Sequence, residues 1–192
     1  MRNKIVVVDY DPIWKDQFEE LKSVLIKSID RESIEIEHVG STSILGLKAK
    51  PIIDLDIILE DDLLIEKVIE KLSKLGYNHV GDLGITGREA FKKTDTKTPA
   101  TGTNKEWFEH HLYVCRKDSI GLQNHLNFRD YMRNHPEKVK EYGNLKLELT
   151  KKYPYDIDSY IDGKTDFIVE VLSRTGMEKE DKKQVENENR LK

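Results

Sequence analysis

The sequence has few of the features that mark secreted, membrane-bound or nucleic-acid-coating proteins. It contains a single cysteine, Cys115, so an internal disulfide is excluded. No apolar run reaches the length of a membrane helix, and no secretory signal pattern is visible. The formal net charge of -4 provides no excess of basic residues for general nucleic-acid binding. We therefore expect a cytoplasmic protein with neither a membrane nor a broad nucleic-acid partner.

The rest of the composition is typical of a folded protein along most of the chain. Of the 192 residues, 37% are hydrophobic and 35% are charged. This length suffices for one good core, and no linker or repeat is visible, so we expect a single domain over residues 1–175. Residues 176–192 are almost all charged or amide residues. Because they offer little apolar surface, we expect a frayed helix or a disordered tail there.

Apolar spacing predicts alternating helices and strands up to about residue 115, followed by a helical half. Trp14 and Phe18 belong to a series at helical spacing, which predicts a helix over about 12–29. Short apolar or alternating runs predict strands at 34–39, 52–59, 77–80, 88–93 and 109–115, with a helix at about 62–75. Residues 118–152 keep helical spacing with one break, and a further helix is predicted at about 158–173.

A Gly-Ser turn is followed at short range by an Asp-x-Asp pair. In a strand, Asp54 and Asp56 project from the same face, because alternate residues share a face. Two adjacent carboxylates suit Mg²⁺ or Mn²⁺, which bind oxygen ligands together with substrate phosphates. Gly40, Ser41 and Ser43 offer backbone N–H groups and hydroxyls to such phosphates. The alternatives are carboxylates on a solvent-facing strand and a turn that only caps a short helix.

Five motifs occur in order along the chain. They are His-Val-Gly-Ser-Thr-Ser at 38–43, Lys-Pro-Ile-Ile-Asp-Leu-Asp at 50–56, His-Leu-Tyr-Val at 111–114, Asn-His-Leu-Asn-Phe-Arg-Asp-Tyr at 124–131 and Lys-Thr-Asp-Phe-Ile at 164–168. This set resembles the GrpB (UPF0157) family, a branch of the nucleotidyltransferase superfamily, over roughly residues 5–173. The resemblance implies an α+β fold: a nucleotidyltransferase-like mixed β-sheet with flanking helices and a helical C-terminal layer.

The resemblance also implies a third carboxylate, and here the sequence departs from the superfamily. That carboxylate commonly lies on a neighbouring strand and positions the attacking hydroxyl. In the predicted strand at 109–115, alternation places Glu109, His111 and Tyr113 on one face. If this face looks into the cleft, His111 occupies the place of the third carboxylate. It could then act as a base or a metal ligand near neutral pH.

Several basic residues are candidates for contacts with phosphate. Arg129 lies within the family-like Phe-Arg-Asp-Tyr segment, and its planar guanidinium suits phosphate. Lys146 and Lys164 could complete a basic wall that faces the two aspartates. Lys50 could add charge near the turn, and Arg88 is a candidate on the sheet side. The alternative for these residues is ordinary surface ion pairing.

Taken together, these residues predict a metal-dependent nucleotidyltransferase that moves a nucleoside monophosphate from a triphosphate to an unknown acceptor. Asp54 and Asp56 would hold Mg²⁺ or Mn²⁺. The alternative is a non-catalytic module on the same fold that binds a nucleotide, a coenzyme or an RNA end. The absence of a clear third carboxylate favours the binding module, whereas the Asp pair and the Gly-Ser turn favour the enzyme. In both cases the expected partner is a nucleotide or a nucleotide-containing small molecule, and no oligomeric state is indicated.

Overall fold

A five-stranded sheet with helices on both faces forms the centre of the protein in the computed structural model, which describes residues 3–29 and 34–190. The helices are α1 (Ile13–Ile29), α2 (Ile65–Lys74), α3 (Ile120–Arg133), α4 (Pro136–Lys152), α5 (Ile157–Asp162), α6 (Thr165–Leu172) and α7 (Lys179–Asn189). The strands are β1 (Ile34–Val39), β2 (Ile53–Leu59), β3 (Tyr77–His79), β4 (Arg88–Lys93) and β5 (His110–Arg116). None of the helices in the described ranges combines the length and apolar character needed to cross a membrane.

The strand order is β1-β2-β5-β4-β3, and the sheet is mixed. Strands β2 and β5 pair in parallel, while the three other pairings are antiparallel. In this register Asp54 lies opposite His111, and Asp56 lies between Tyr113 on β5 and Glu37 on β1. Paired residues point to the same side of a sheet, so these five side chains share one face. The α+β fold and the mixed sheet expected from the sequence are confirmed.

The opposite face of the sheet carries the main apolar core. Leu55 and Ile57 of β2 and Leu112 of β5 are fully buried there, together with Trp14 and Leu25 of α1. Full burial of one such side chain contributes roughly 1.5–3 kcal/mol relative to exposure, so this layer fixes how β2 and β5 lie side by side. Alternation along β2 then directs the even-numbered residues Asp54 and Asp56 away from the core.

The face that carries the two aspartates is covered by the helical half of the chain. Leu122 of α3 packs on Ile58 and Cys115 at one end of this face. Around Met132 and Phe167, helices α3, α4 and α6 form a second apolar cluster. The polar residues of the sheet therefore lie between the strands and a helical layer.

The C-terminal segment, where a frayed helix or a disordered tail was expected at 176–192, is described up to residue 190. Helix α7 is formed, and Val185 is buried with Met177 against Leu172 of α6. Arg190 forms an ion pair with Asp166. Two apolar residues in a highly charged segment are enough here because α6 already provides an apolar surface. The helix expected at 158–173 is also divided, since α5 ends at Asp162 and α6 begins at Thr165.

Candidate functional site

Asp54 is the centre of the polar face. Its side chain is 27% exposed, and His111 Nδ1 lies 2.9 Å from Asp54 Oδ1. A carboxylate can only accept, so Nδ1 of His111 carries the proton of this hydrogen bond. Burial would raise the pKa of Asp54, but the hydrogen bond from His111 and the charges of His111, His125 and Lys50 lower it. The Asp54 carboxylate is thus held in its charged form.

Gly40 brings the Gly-Ser turn into direct contact with this carboxylate. Its φ of 66° lies in the left-handed region, where residues with a Cβ are strained. A Cβ at this position would also lie only 2.2 Å from Asp54 Oδ2. The sequence therefore needs glycine here for two separate reasons.

Three lysines interact electrostatically with the same carboxylate, and we call Lys50, Lys146 and Lys164 the lysine cluster. Lys146 is almost fully buried and donates a 2.8 Å hydrogen bond to Ser41 Oγ. Burial lowers the pKa of Lys146 well below its usual value, and the charge of Lys164 adds to this effect. Burial, followed by the charge of Lys50, lowers the pKa of Lys164 to about 8, while Asp54 opposes the shift. The charges of these amines oppose one another, and a bound anion would offset that repulsion.

Asp56 lies deeper than Asp54 and has a different partner. It has no exposed surface, and His125 of α3 donates from Nδ1 to Asp56 Oδ2 over 2.7 Å. Burial would lower the pKa of His125, but the charge and the hydrogen bond of Asp56 outweigh it, so the pKa is raised. The other oxygen, Asp56 Oδ1, is buried without a hydrogen-bond partner among the described residues.

Arg88 lies at the far end of the same face. Its guanidinium stacks over the ring of Tyr113 at 4.3 Å, and Nη2 lies 3.4 Å from the carbonyl oxygen of Asp82. Its Nε is buried without a partner in the described part of the chain. The charge of Arg88 acts on His125, so it belongs to the surroundings of Asp56 rather than of Asp54.

Two of the predicted phosphate contacts are occupied within the protein. Arg129 is buried, pairs with Glu37 and with Asp130, and donates to the carbonyl oxygen of His38 over 3.0 Å. It therefore ties α3 to β1 instead of facing the aspartates. The hydroxyl of Ser43 donates to the carbonyl oxygen of Gly40 over 2.7 Å and closes the turn. The alternative of ordinary ion pairing describes Arg129 better than phosphate binding does.

The residues of this face fit Mg²⁺ or Mn²⁺ only in part. No group of three or more His, Cys, Asp or Glu side chains within the described ranges is arranged to hold a metal ion. Asp54 and Asp56 still present two carboxylates on one strand face, and within residues 3–29 and 34–190 Asp56 Oδ1 has no hydrogen-bond partner. Mg²⁺ usually takes one or two protein carboxylates with waters and substrate phosphates. The pair therefore suits a metal that arrives with a phosphorylated ligand, not a metal caged by protein groups alone.

The pairing of Asp56 with His125 is the feature that sequence reasoning missed. His125 was recognisable as part of a family-like motif on a helix, but no local pattern indicates which strand that helix crosses.

A cavity of about 610 Å³ adjoins the site at Lys50, and Tyr155 and Ile157 line it. Both side chains are exposed, so this cavity offers apolar surface next to the lysine cluster.

Comparison with known proteins gives a consistent family assignment. The family described as GrpB protein matches residues 4–174. Glutamate-rich protein GrpB of Alkalihalophilus pseudofirmus is 35% identical, over 90% of this chain and 96% of that protein. UPF0157 protein YqkA of Bacillus subtilis is 36% identical over 87% of this chain. The chain spans only 46% of the length of YqkA.

Solved structures support the same fold. Conserved protein GrpB from Enterococcus faecalis has a TM-score of 0.74 and 32% identity, over 88% of this chain and 96% of that one. The GLD-2/RNP-8 complex reaches a TM-score of 0.51 at 10% identity, over 84% of this chain and 60% of that one. Cid1 in complex with its short product ApU reaches 0.50 at 12% identity, over 76% and 42%. These two distant likenesses show a nucleotidyltransferase-like fold.

Proposed function

The chain belongs to the GrpB family, and we propose that it binds a nucleoside triphosphate on the Asp54 face and transfers the nucleotidyl group to an acceptor hydroxyl or amine. The observation that carries this proposal is the position of Asp54. Its carboxylate lies against the Gly40 turn, is hydrogen-bonded to His111 and interacts electrostatically with the lysine cluster. Positive charge next to a carboxylate on one face is what a triphosphate with a divalent cation requires.

The triphosphate would lie between the Gly-Ser turn and the lysine cluster. Lys164 and Lys50 would neutralise phosphate oxygens, and Lys146 holds Ser41 in place through its hydrogen bond. Asp54 and Asp56 would hold Mg²⁺ or Mn²⁺, which would polarise the phosphate and offset charge on the departing pyrophosphate. The low pKa of Asp54 favours this role because a charged carboxylate is the form that binds cations.

His111 is the proposed general base. Its Nδ1–H is oriented by Asp54, which leaves Nε2 to accept a proton from the attacking hydroxyl. The new bond would form between the acceptor oxygen and the α-phosphorus, while the bond to the bridging oxygen of the β-phosphate breaks and pyrophosphate leaves. The side chain of His111 is 44% exposed, so an acceptor can approach it.

Nucleotide binding without transfer is the second candidate, and the Asp56–His125 pair favours it. Asp56 is wholly buried and its Oδ2 is already paired with His125, so a metal shared by both aspartates would have to reach the buried Oδ1 beneath α3. A module that only binds would use Asp54, the turn and the lysine cluster and leave the Asp56–His125 pair intact.

The test combines calorimetry with a transfer assay. Non-hydrolysable analogues of the four ribonucleoside triphosphates are titrated with Mg²⁺ or Mn²⁺, and release of pyrophosphate is followed with nucleosides, short RNA and sugar phosphates as acceptors. Asp54→Asn should weaken binding at least about tenfold, roughly the loss of one charge-assisted contact. Glu66→Gln, exposed on α2, is the matched control and should bind like the parent.

His111→Gln separates the two candidates. For an enzyme it should keep the affinity for nucleotide within about threefold and lose most of the transfer rate, since a general base typically contributes about 10²–10⁴-fold. Binding by the parent with no transfer to any acceptor would favour the second candidate. Failure of the parent to bind any of the four analogues would overturn both.

A further inference from the structure

A cavity of about 900 Å³ lies on the other side of the Gly-Ser turn, between α1, the edge strand β1 and the junction of α3 with α4. None of Asp54, Asp56 and His111 lines it. Thr42 and Ser43 form part of its wall, so the turn separates it from the Asp54 face. Small-molecule sites usually occupy roughly 300–1,000 Å³, so this volume is suitable for a small organic ligand.

The floor of the cavity is apolar and uncharged. Phe18, Ile36, Met132 and Val139 line it and are buried. His38 adds a ring that stacks on Phe18 with centroids 4.5 Å apart. Burial lowers the pKa of His38 to about 4, so this ring is neutral at physiological pH.

The rim of the cavity is basic. Arg129 and Lys48 line the wall but are paired, with Glu37 and Asp9 respectively. The remaining charged side chains of the lining are four cations and one carboxylate, namely Lys15, Lys22, Arg133, Lys140 and Glu19. The rim therefore carries an excess of positive charge, although the whole chain is acidic.

The Gly-Ser turn fixes the position of the Arg133 guanidinium at this rim. Its Nε and Nη2 donate to the carbonyl oxygen of Ser43 over 3.2 and 2.9 Å, which fixes the guanidinium. Arg133 Nη1 also lies 3.8 Å from Asp130 Oδ1, and since a guanidinium has five N–H donors, others remain for an anion. Lys15 and Lys140 are exposed, and the described contacts show no ion pair for either.

We propose that this cavity is a second binding site, which takes a small organic anion with an apolar body. The anionic head would meet Arg133 and Lys140, and the apolar body would lie on the floor formed by Phe18, Met132 and Val139. A ligand with only an anionic head or only an apolar body would contact just one of these two regions of the cavity. The proposal does not depend on the activity of the Asp54 face, because the two regions share only the turn.

The probe is 8-anilinonaphthalene-1-sulfonate, which joins one sulfonate to an aromatic body. Isothermal titration of the folded parent should show one saturable site. N-phenyl-1-naphthylamine, which lacks the sulfonate, and inorganic phosphate, which lacks the apolar body, should each bind at least about tenfold more weakly, the effect of losing roughly 1.4 kcal/mol. Equal affinity for the neutral probe, or more than one equivalent of bound sulfonate probe, would overturn the proposal.

Charge variants locate the site. Lys15→Gln/Lys140→Gln and, separately, Arg133→Gln should weaken binding of the sulfonate probe about three- to tenfold, as expected for partly exposed charges. Lys27→Gln/Lys151→Gln is the matched control: both lysines are exposed, also on α1 and α4, and outside the cavity lining. It should leave affinity unchanged. Equal losses in the test and control variants would show general charge attraction and overturn the site. The thermal midpoints of all variants show whether Arg133→Gln weakens binding by destabilising the fold. If it does, the affinity of Lys15→Gln/Lys140→Gln, which removes no described contact, decides whether the site binds the probe.

Discussion

Asp54 and Asp56 lie in different surroundings although a single residue separates them. Asp54 reaches solvent beside the lysine cluster, whereas Asp56 is sealed beneath α3 by His125. Each is hydrogen-bonded to the Nδ1 of a histidine, so the face contains two Asp–His pairs with unequal access to a ligand. Ligand contacts are therefore expected first at Asp54.

Gly40 offers a direct test of how closely the turn must approach Asp54. Gly40→Ala should lower the free energy of unfolding by about 2–4 kcal/mol, because it adds a steric clash to the strain of positive φ. Gly46→Ala is the matched control: its φ is 77°, but a Cβ there meets nothing within 4 Å. It should cost only about 1 kcal/mol in urea denaturation. Equal costs for both substitutions would show that the contact with Asp54 is unimportant.

Lys164 predicts a pH dependence of nucleotide binding. Its pKa of about 8 means that the ammonium is lost well below the usual range for lysine. The affinity for a triphosphate analogue should therefore fall as the pH rises through 8. Because a bound phosphate favours the charged form, binding near this pH should also take up a proton, which titrations in buffers of different ionisation enthalpy detect.

Lys164→Arg is the control for this dependence. A guanidinium stays charged throughout this range, so the variant should bind with little change in affinity between about pH 7 and pH 9. The lowered pKa of Lys164 affects stability in the opposite direction. Between pH 8 and 10.5 the unfolded chain keeps the Lys164 proton and the folded chain does not, so the free energy of unfolding rises with pH. A parent whose affinity is constant through this range would contradict the assignment of Lys164 to the site.

Among the helices and strands, α7 is the element that the charged composition of its segment does not indicate. Removing residues 177–192 should lower the free energy of unfolding by about 1–3 kcal/mol, because Met177 and Val185 no longer cover Leu172. The thermal midpoint should fall by a few degrees in calorimetry, on the order of 2–6 °C. Val185→Ala should show part of this loss, and Lys183→Ala, exposed on the same helix, should show none. An unchanged midpoint after truncation would show that α7 does not dock.

Most strands and helices were predictable from local pattern, because alternation and helical spacing are properties of neighbouring residues. The strand at 109–115 and the sharing of a face by Asp54 and Asp56 are of this kind. The His125–Asp56 contact joins residues 69 positions apart and depends on how α3 crosses the sheet. The same holds for Arg129, whose partner Glu37 is 92 positions away. Docking of this kind leaves no signal in the spacing of either segment.

For the whole molecule, two neutral histidines lie under the sheet on the side of the main core. Burial lowers the pKa of both His38 and His110 to about 4. His38 Nε2 lies 3.1 Å from Thr42 Oγ1, and His110 bridges the carbonyl oxygen of Phe108 and the hydroxyl of Tyr77. These bonds are made by the neutral rings, so protonation of either histidine opposes the folded state.

Acid should therefore destabilise the protein well before its carboxylates titrate. Between pH 6.5 and 4 the unfolded chain binds protons at His38 and His110 that the folded chain does not, so stability is lost as the pH falls through this window. Each histidine contributes up to about 1.4 kcal/mol per pH unit, and together they cost on the order of 5 kcal/mol near pH 4. His125 acts in the opposite sense, since its raised pKa favours the folded state at lower pH.

Urea denaturation of the parent should show the net fall in the free energy of unfolding. His38→Gln should be less stable at neutral pH, but its stability should depend less steeply on pH. A parent whose stability is level from pH 6.5 to 4 would contradict the burial of two neutral rings.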